Sequence, residues 1–178
     1  MGFGAKSKKL NAGQLWDYAL KSLAQRAHSA GDLRQKLLRR AESAADVAPT
    51  MAKLSEYGLT DDSKFSEAFA TARLQNQGLG SFRVLRELSA KRVSSPVAAK
   101  AVADAYADTS ESELIEAFLR RKFRNTDLSA FLKERKNLAN IYRRLRTAGF
   151  TSGGSLDALK RHAADVEDWS EPPEDELS

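Results

Sequence analysis

Hydrophobic positions along this chain repeat one pattern three times. A small or polar residue is followed four positions later by a branched apolar residue and, after four more, by leucine. The three copies are Ser29-Leu33-Leu37, Gly80-Val84-Leu88 and Asn137-Ile141-Leu145. A spacing of four places the apolar residues on one face of a helix that begins at the small or polar residue. The pattern therefore predicts a repeat protein with one such helix in each repeat.

The register of this repeat extends past the predicted helix. Met51, Val102 and Leu159 are all apolar, and each follows the start of its own copy by 22 residues. The period of a single helix does not continue through the turn that follows it, so it does not explain why these three later positions are all apolar. Duplication of a longer unit explains the shared register better. We predict an all-α fold of three tandem three-helix repeats.

Apolar and turn-forming stretches set the predicted boundaries. Repeat 1 covers residues 13–59, repeat 2 covers 60–108 and repeat 3 covers 109–164. A basic arm at 1–12 precedes them, and an acidic tail at 165–178 follows them. Both end segments contain too few apolar residues to bury, so we expect a flexible arm and a disordered tail.

Residues that favour helix ends accompany these boundaries. Ser95-Pro96 predicts a helix start with serine as the cap and proline at the first position. Ser110 has capping-box spacing to Glu113, and Asp61-Asp62 carries charge that suits a helix N-terminus. Gly149 is suited to end the helix of the third copy. The inward face of the first helix is predicted at Leu15, Ala19, Leu20 and Leu23.

Composition favours the same fold class. The chain contains 28 alanine and 22 leucine residues but only six valine and two isoleucine residues, a balance that favours helix over sheet. It has no cysteine, which excludes disulfides, thiolate metal sites and a thiol nucleophile. No stretch approaches the run of about 18 apolar residues that crosses a bilayer, and the start lacks the apolar region of a secretory signal. We expect a soluble, cytoplasmic protein with no membrane partner.

Charge is distributed unevenly along the chain. The formal net charge is +5, but residues 165–178 carry seven acidic residues and no lysine or arginine. Residues 1–164 therefore carry a net charge of +12. A body this basic predicts an acidic partner, which is either nucleic acid or an acidic protein surface.

A search for catalytic motifs finds none. His28 and His162 are the only histidines, and neither has the spacing of a paired metal ligand. Gly78-Leu79-Gly80 lacks the third glycine and the preceding strand of a dinucleotide-binding loop, and the sequence has no phosphate-binding Gly-Lys-Ser/Thr loop. The pair Asp61-Asp62 is explained by helix capping. We predict that the chain is not an enzyme and binds no cofactor or metal.

Basic residues cluster in the helices of the second and third copies. Arginine presents several donors to phosphate or carboxylate, so arginines that converge form a credible surface for a polyanion or an acidic protein. We predict six contact residues, which are Arg83, Arg86, Arg92, Arg143, Arg144 and Arg146. A further basic run in repeat 3 consists of Arg120, Arg121, Lys122 and Arg124. For each residue the alternative interpretation is a solvated helix face.

The middle of the chain resembles a known family. Residues 54–69 read LSEYGLTDDSKFSEAF, and Arg73, Gly78-Leu79-Gly80 and Leu88 follow in order. This ordered set resembles the central motif of the RecX family of recombination regulators. With residues 29–37 and 137–150, the resemblance extends over about residues 15–163.

One departure from the family pattern concerns a predicted helix end. The chain has Lys91-Arg92-Val93 where the family commonly has Lys-Gly-Ile. Arginine tolerates a left-handed helix cap less well than glycine does, because its Cβ crowds the backbone. The departure leaves open where this helix ends.

The resemblance implies a fold and a function. Members of the family are built from tandem three-helix units that form an elongated, curved body. They bind the RecA recombinase filament on single-stranded DNA, where they inhibit ATP hydrolysis and strand exchange and can promote disassembly. We therefore expect a monomeric regulator of recombination and DNA repair, with the RecA filament as its partner and single-stranded DNA as a second candidate partner. The alternative is a sequence-independent DNA-binding protein, because three-helix units resemble helix-turn-helix modules and would use the same arginines.

Overall fold

The all-α prediction is confirmed in the residues that the structure describes. The computed structural model describes residues 9–163. That range contains ten α-helices, one 3₁₀ turn at Ala44–Asp46 and no β-strand apart from an isolated bridge between Leu10 and Ala41. The acidic tail predicted at 165–178 and most of the predicted basic arm lie outside the described residues.

The described residues form two compact units. The first unit contains residues 9–68 and 88–101, and the second contains residues 69–87 and 102–163. Each unit has its own cluster of buried apolar side chains. The boundaries of the three repeats stay a prediction.

Three helices form the core of the first unit. Helices α1 (Ala12–Gln25), α2 (Ala30–Arg40) and α3 (Val47–Glu56) pack on one another. Leu20 was predicted to face inward but is 36% exposed. It follows Ala19 directly, and one position turns a side chain by about 100° around the helix. The buried cluster includes the first copy of the pattern and comprises Leu15, Ala19, Leu33, Leu37, Ala41, Val47 and Leu54.

The start of the first unit corrects one predicted boundary. The side chain of Asn11 caps α1 by accepting a hydrogen bond from the N–H of Gln14 at 3.0 Å. Leu10 pairs with the segment after α2, because its N–H donates to the Arg40 carbonyl at 2.8 Å and its carbonyl accepts from the N–H of Glu42 at 2.8 Å. The predicted flexible arm at 1–12 therefore extends too far, since the chain is already hydrogen-bonded at Leu10.

Helices α4 (Asp62–Gln77), α5 (Ser81–Ala90) and α6 (Ser95–Tyr106) follow in the chain. The carboxylate of Asp61 accepts hydrogen bonds from the N–H groups two and three residues later, at 2.9 and 3.0 Å. This is the geometry of a helix N-cap, and it confirms the predicted start of α4.

Helix α5 carries the second copy of the pattern. Val84 and Leu88 are fully buried, as predicted. The predicted start of α6 is wrong by one residue, because the helix begins at Ser95 itself and the carbonyl of Ser94 accepts the N–H of Ala98 at 3.0 Å. Serine precedes serine here, so the sequence offers two equivalent caps.

The second unit is built around helices α7 (Glu111–Lys122), α9 (Arg135–Ala148) and α10 (Ser152–His162), and α10 packs on both of the others. Ser110 caps α7, as predicted. A one-turn helix, α8 (Leu128–Phe131), lies between α7 and α9 in the chain and was not predicted. The largest buried residues of its cluster are Ile115, Phe118, Leu119, Leu132, Leu138, Ile141, Tyr142, Leu145, Phe150 and Leu159.

Helix α9 carries the third copy of the pattern, but its predicted start at Asn137 is wrong. The helix begins at Arg135, and Asn137 lies in its first turn, where its side chain donates a hydrogen bond to the Phe131 carbonyl at 3.0 Å. The helix ends at Ala148 and Gly149 caps it with φ 96°, so the predicted glycine cap is confirmed.

The small residue that opens the second copy lies at a helix junction in the second unit. The N–H of Gly80 donates to the Ala148 carbonyl at 2.9 Å, and the N–H of Phe82 donates to the Gly149 carbonyl at 3.2 Å. A Cβ on Gly80 would lie less than 3.0 Å from the backbone of Gly149. The end of α9 thus meets the start of α5 so closely that glycine is required at residue 80.

The first unit contains a junction of the same kind, where the end of α5 meets the start of α2. The hydroxyl of Ser29 donates to the Lys91 carbonyl, and a Cβ on Gly31 would lie less than 3.0 Å from Arg92. Arg92 has φ 61°, so the residue that departs from the resembled pattern adopts the left-handed conformation. Its Nη1 donates to Asp32 Oδ1 at 2.9 Å, and this ion pair helps to hold the conformation.

Candidate binding groove

An open groove of about 890 Å³ lies within the second unit. Its walls come from the end of α4 and the segment that follows it, from α5, and from α7 and α9. Among the described residues that line it, Glu87 is the one acidic side chain. Its cationic side chains are Arg83, Arg121, Lys122, Arg143 and Arg144.

Glu87 is already neutralised by two arginines. One carboxylate oxygen accepts a hydrogen bond from Arg83 Nε at 2.8 Å, and the other lies 2.7 Å from Arg73 Nε as an ion pair. In the part of the chain that the structure describes, the four remaining cations of the groove have no acidic partner. The groove therefore presents uncompensated positive charge.

Contacts with neutral groups hold two of these arginines in place. Arg121 donates to the Gln77 carbonyl at 2.6 Å, and its guanidinium lies 5.8 Å from the centre of the Phe118 ring. Arg144 donates to an amide oxygen one turn earlier at 2.9 Å and lies 5.7 Å from the centre of the Phe123 ring. These partners orient each guanidinium without cancelling its charge, so both arginines keep donors for an anionic ligand.

The structure brings three of the six predicted contact residues into the groove, and these are Arg83, Arg143 and Arg144. Arg86 lies beside it, where its guanidinium donates to the Thr147 carbonyl at 3.2 Å. The role of all six as contact residues stays a prediction.

The other two predicted residues lie elsewhere. Arg146 donates to the Phe150 carbonyl at 2.6 Å, so it closes the turn after α9. Arg92 belongs to the first unit and pairs with Asp32. Both arginines have local structural partners that account for them.

Sequence reasoning did not select Arg121 and Lys122 as contact residues, although it noted the basic run that contains them. They follow Phe118 by three and four residues, which places all three on one face of α7. This helical spacing could have identified Arg121 and Lys122 from the sequence. Their adjacency in a basic run could not, because neighbouring residues in a run point to different faces of α7.

Neither histidine lies in the groove. His28 is buried in the first unit, where burial and the nearby charges of Arg26 and Lys36 lower its pKa. His162 Nε2 lies 2.7 Å from a carboxylate oxygen of Glu116. Residues 9–163 contain no group of three or more histidine, aspartate or glutamate side chains placed to hold a metal ion. None of their helices is both long and apolar enough to cross a membrane.

Comparison with known sequences identifies the family. The family model for RecX, second three-helix domain, matches residues 61–102. The regulatory protein RecX of Mycobacterium sp. (strain JLS) is 30% identical over 145 residues, which is 80% of this chain and 78% of that protein. The regulatory protein RecX of Halorhodospira halophila is 37% identical over 92 residues, which is 52% of this chain and 56% of that protein. The chain thus spans little more than half the length of this second relative.

Solved structures share the fold. The crystal structure of RecX from Lactobacillus salivarius superposes with a TM-score of 0.62 at 16% identity, over 85% of this chain and 96% of that one. A second crystal structure, of a regulatory protein RecX, also gives a TM-score of 0.62, at 20% identity over 84% of this chain and 73% of that one. The sequence relatives are named as regulatory proteins and not as enzymes. This chain belongs to the RecX family of regulatory proteins.

Proposed function

We propose that this chain binds the RecA recombinase filament in the cytoplasm and inhibits its ATPase and strand-exchange activities. Membership of a family of regulatory proteins supports the proposal. The single structural observation that carries it is the basic groove of the second unit, where Arg121, Lys122, Arg143 and Arg144 have no acidic partner among the described residues. On this proposal the chain regulates recombination by binding alone.

The chemistry of the groove suits an acidic macromolecular partner. A guanidinium can form two parallel hydrogen bonds to a carboxylate or a phosphate, and both groups occur in a filament of protein on single-stranded DNA. Contacts with neighbouring filament subunits would add through effective concentration, so several weak contacts would suffice for inhibition.

The test is the steady-state ATPase activity of RecA on single-stranded DNA, measured against increasing amounts of the full chain. We expect inhibition by the unaltered protein. The double variant Arg143→Glu/Arg144→Glu should need about 30-fold more protein or more for half-inhibition, because each reversal replaces an attraction of roughly 0.5–1 kcal/mol with a similar repulsion and about 1.4 kcal/mol corresponds to a factor of ten. Both side chains are exposed, so circular dichroism should stay unchanged.

A control variant with the same change in net charge separates the groove from the overall charge. Lys21 on α1 and Lys160 on α10 are exposed and lie outside the groove. The variant Lys21→Glu/Lys160→Glu should inhibit nearly as well as the unaltered chain. Normal ATPase activity at saturating amounts of the unaltered chain would refute the proposed function, and equal losses in the two variants would refute the role of the groove.

Direct DNA binding is the second candidate function, since guanidinium groups without acidic partners also bind phosphate. Co-sedimentation with RecA, with and without single-stranded DNA and ATP, distinguishes the two. DNA binding would be favoured over filament binding if the chain bound naked DNA as tightly as it bound the filament. The affinity for DNA should then decrease strongly as salt is added.

A further inference from the structure

Charge within the second unit points to a partner inside the same chain. The described residues of this unit, 69–87 and 102–163, contain 15 lysine and arginine residues against nine acidic ones. Residues 164–178 contain seven acidic residues and no lysine or arginine. The acidic segment would therefore neutralise the excess positive charge of the unit to which it is joined.

The path from the described residues to the groove is short. Helix α10 ends beside α7, because His162 Nε2 lies 2.7 Å from Glu116 Oε2 and Arg161 Nη2 donates to Ser112 Oγ at 3.0 Å. Helix α7 also lines the groove through Phe118 and Lys122. At 12 residues, α7 is about 18 Å long. A chain that leaves Ala163 can span about 3.3 Å for each residue, so eight residues reach farther than this helix is long.

The side chains of the groove and of the segment also match in kind. Leu79, Phe118 and Ala148 place apolar surface among the guanidinium groups of the groove. The segment reads Glu167-Asp168-Trp169-Ser170-Glu171, with an aromatic side chain among carboxylates. Carboxylates pair with arginine, and an indole ring binds both apolar surface and cations.

We propose that the basic groove of the second unit binds the acidic segment 165–176 of its own chain. Because the two are covalently joined, their effective concentration is of the order of millimolar, so contacts with a dissociation constant below about 1 mM keep the groove mostly occupied. Any acidic partner must displace the segment. The consequence for RecA rests on the proposed function above, whereas the binding of the segment does not.

The direct test uses the fluorescence of Trp169 in the full chain. Trp16→Phe leaves Trp169 as the only tryptophan, since the chain has two. We expect Trp169 to be shielded from acrylamide at low salt. Quenching should rise about twofold when the salt is raised to about 1 M, where charges more than about 3 Å apart are screened. It should rise similarly in the background Arg143→Glu/Arg144→Glu and stay low in the control background Lys21→Glu/Lys160→Glu.

The result that would overturn the proposal is equal quenching of Trp169 in the groove background and the control background. A second measurement uses a full chain in which all seven acidic residues of the segment are changed to their amides. This variant should bind a fluorescein-labelled polyglutamate peptide about tenfold more tightly than the unaltered chain, because the competitor is gone. The gain should vanish when Arg143→Glu/Arg144→Glu is added, and a gain that persists there would also overturn the proposal.

Failure of this inference and failure of the proposed function are distinguishable. Neither the quenching nor the peptide binding involves RecA, so both can succeed when the chain leaves RecA activity unchanged. Conversely, the chain can inhibit RecA while Trp169 is quenched equally in the groove background and the control background, and the inference alone is then wrong.

Discussion

Arg92 adopts the left-handed backbone conformation, with φ 61°, although it is not glycine. A side chain with a Cβ costs roughly 1–2 kcal/mol in this conformation. The structure shows what compensates for that cost: the Arg92 side chain pairs with Asp32, and its backbone packs against Gly31 at the start of α2. The start of α2 thus accommodates arginine in a left-handed conformation that glycine would adopt more readily.

Two substitutions test this account of Arg92. Arg92→Gly should change the free energy of unfolding by less than about 1 kcal/mol. Glycine removes the steric cost of the positive φ, and this gain offsets two losses: the half-exposed ion pair with Asp32, and the greater conformational freedom of the unfolded chain. Gly31→Ala should lower it by about 1–3 kcal/mol, because the new Cβ would lie within 3.0 Å of Arg92. Urea denaturation followed by circular dichroism measures both, and a Gly31→Ala protein as stable as the unaltered chain would contradict the close contact.

At the scale of elements, the junctions explain why two copies of the pattern open with a small residue. Ser29 and Gly80 each lie where the start of one helix meets the end of another. The hydroxyl of Ser29 and the N–H of Gly80 each donate a hydrogen bond to a backbone carbonyl of that second helix end. The sequence pattern was interpreted as a helix start, which is correct for these two copies. Why the position must be small follows from the junction, and spacing along the chain does not reveal that contact.

The glycine of the second junction can be tested against a glycine with free space around it. Gly80→Ala should lower the free energy of unfolding by about 1–3 kcal/mol or more, since its Cβ would overlap the backbone of Gly149. Gly153 lies in α10, and a Cβ there would meet nothing within 4 Å. Gly153→Ala should therefore leave stability unchanged or raise it by up to about 1 kcal/mol. Thermal unfolding of both variants gives the comparison, and equal effects would contradict the close contact between Gly80 and Gly149.

Helix existence could be predicted from the sequence better than helix ends could. Apolar spacing of four correctly identified α2, α5 and α9, because burial of one face fixes that period. The start of α9 was placed at Asn137 by alignment with the other copies, but the two polar residues before Asn137 extend the helix without adding to the apolar period. The single turn of α8 was missed for the same reason, because four residues are too few to show a helical period.

At the scale of the whole molecule, the groove could be predicted only in part. Net charge correctly indicated a basic surface, and Arg83, Arg143 and Arg144 do line one groove. Sequence adjacency suggested that residues 143–146 act together, yet Arg146 faces the turn after α9 and donates to a carbonyl there. The groove combines side chains from helices far apart in the chain, and which faces of those helices meet is decided by tertiary packing.

Acidic and histidine side chains in both units give the chain a stability that depends on pH. Burial lowers the pKa of His28 in the first unit below 6.5, and the charges of Arg26 and Lys36 lower it further. In the second unit, burial alone would raise the pKa of Glu116, but hydrogen bonds from His162 and Arg161 outweigh it and hold the pKa below 4.5. The unfolded chain therefore takes up a proton at each group before the folded chain does, and acid favours unfolding in two separate windows.

We expect the free energy of unfolding to fall as the pH drops below 6.5 through His28, and to fall again below 4.5 through Glu116. His28→Gln should flatten the first decrease and leave the second. Glu116→Gln should lower the free energy of unfolding at pH 7 and weaken its decrease below pH 4.5. Some decrease should remain, because hydrogen bonds from backbone or side-chain donors also lower the pKa of the capping carboxylates Asp61 and Asp127. Urea denaturation across the pH range measures these profiles. A His28→Gln protein that still loses stability just below pH 6.5 would show that another group titrates there.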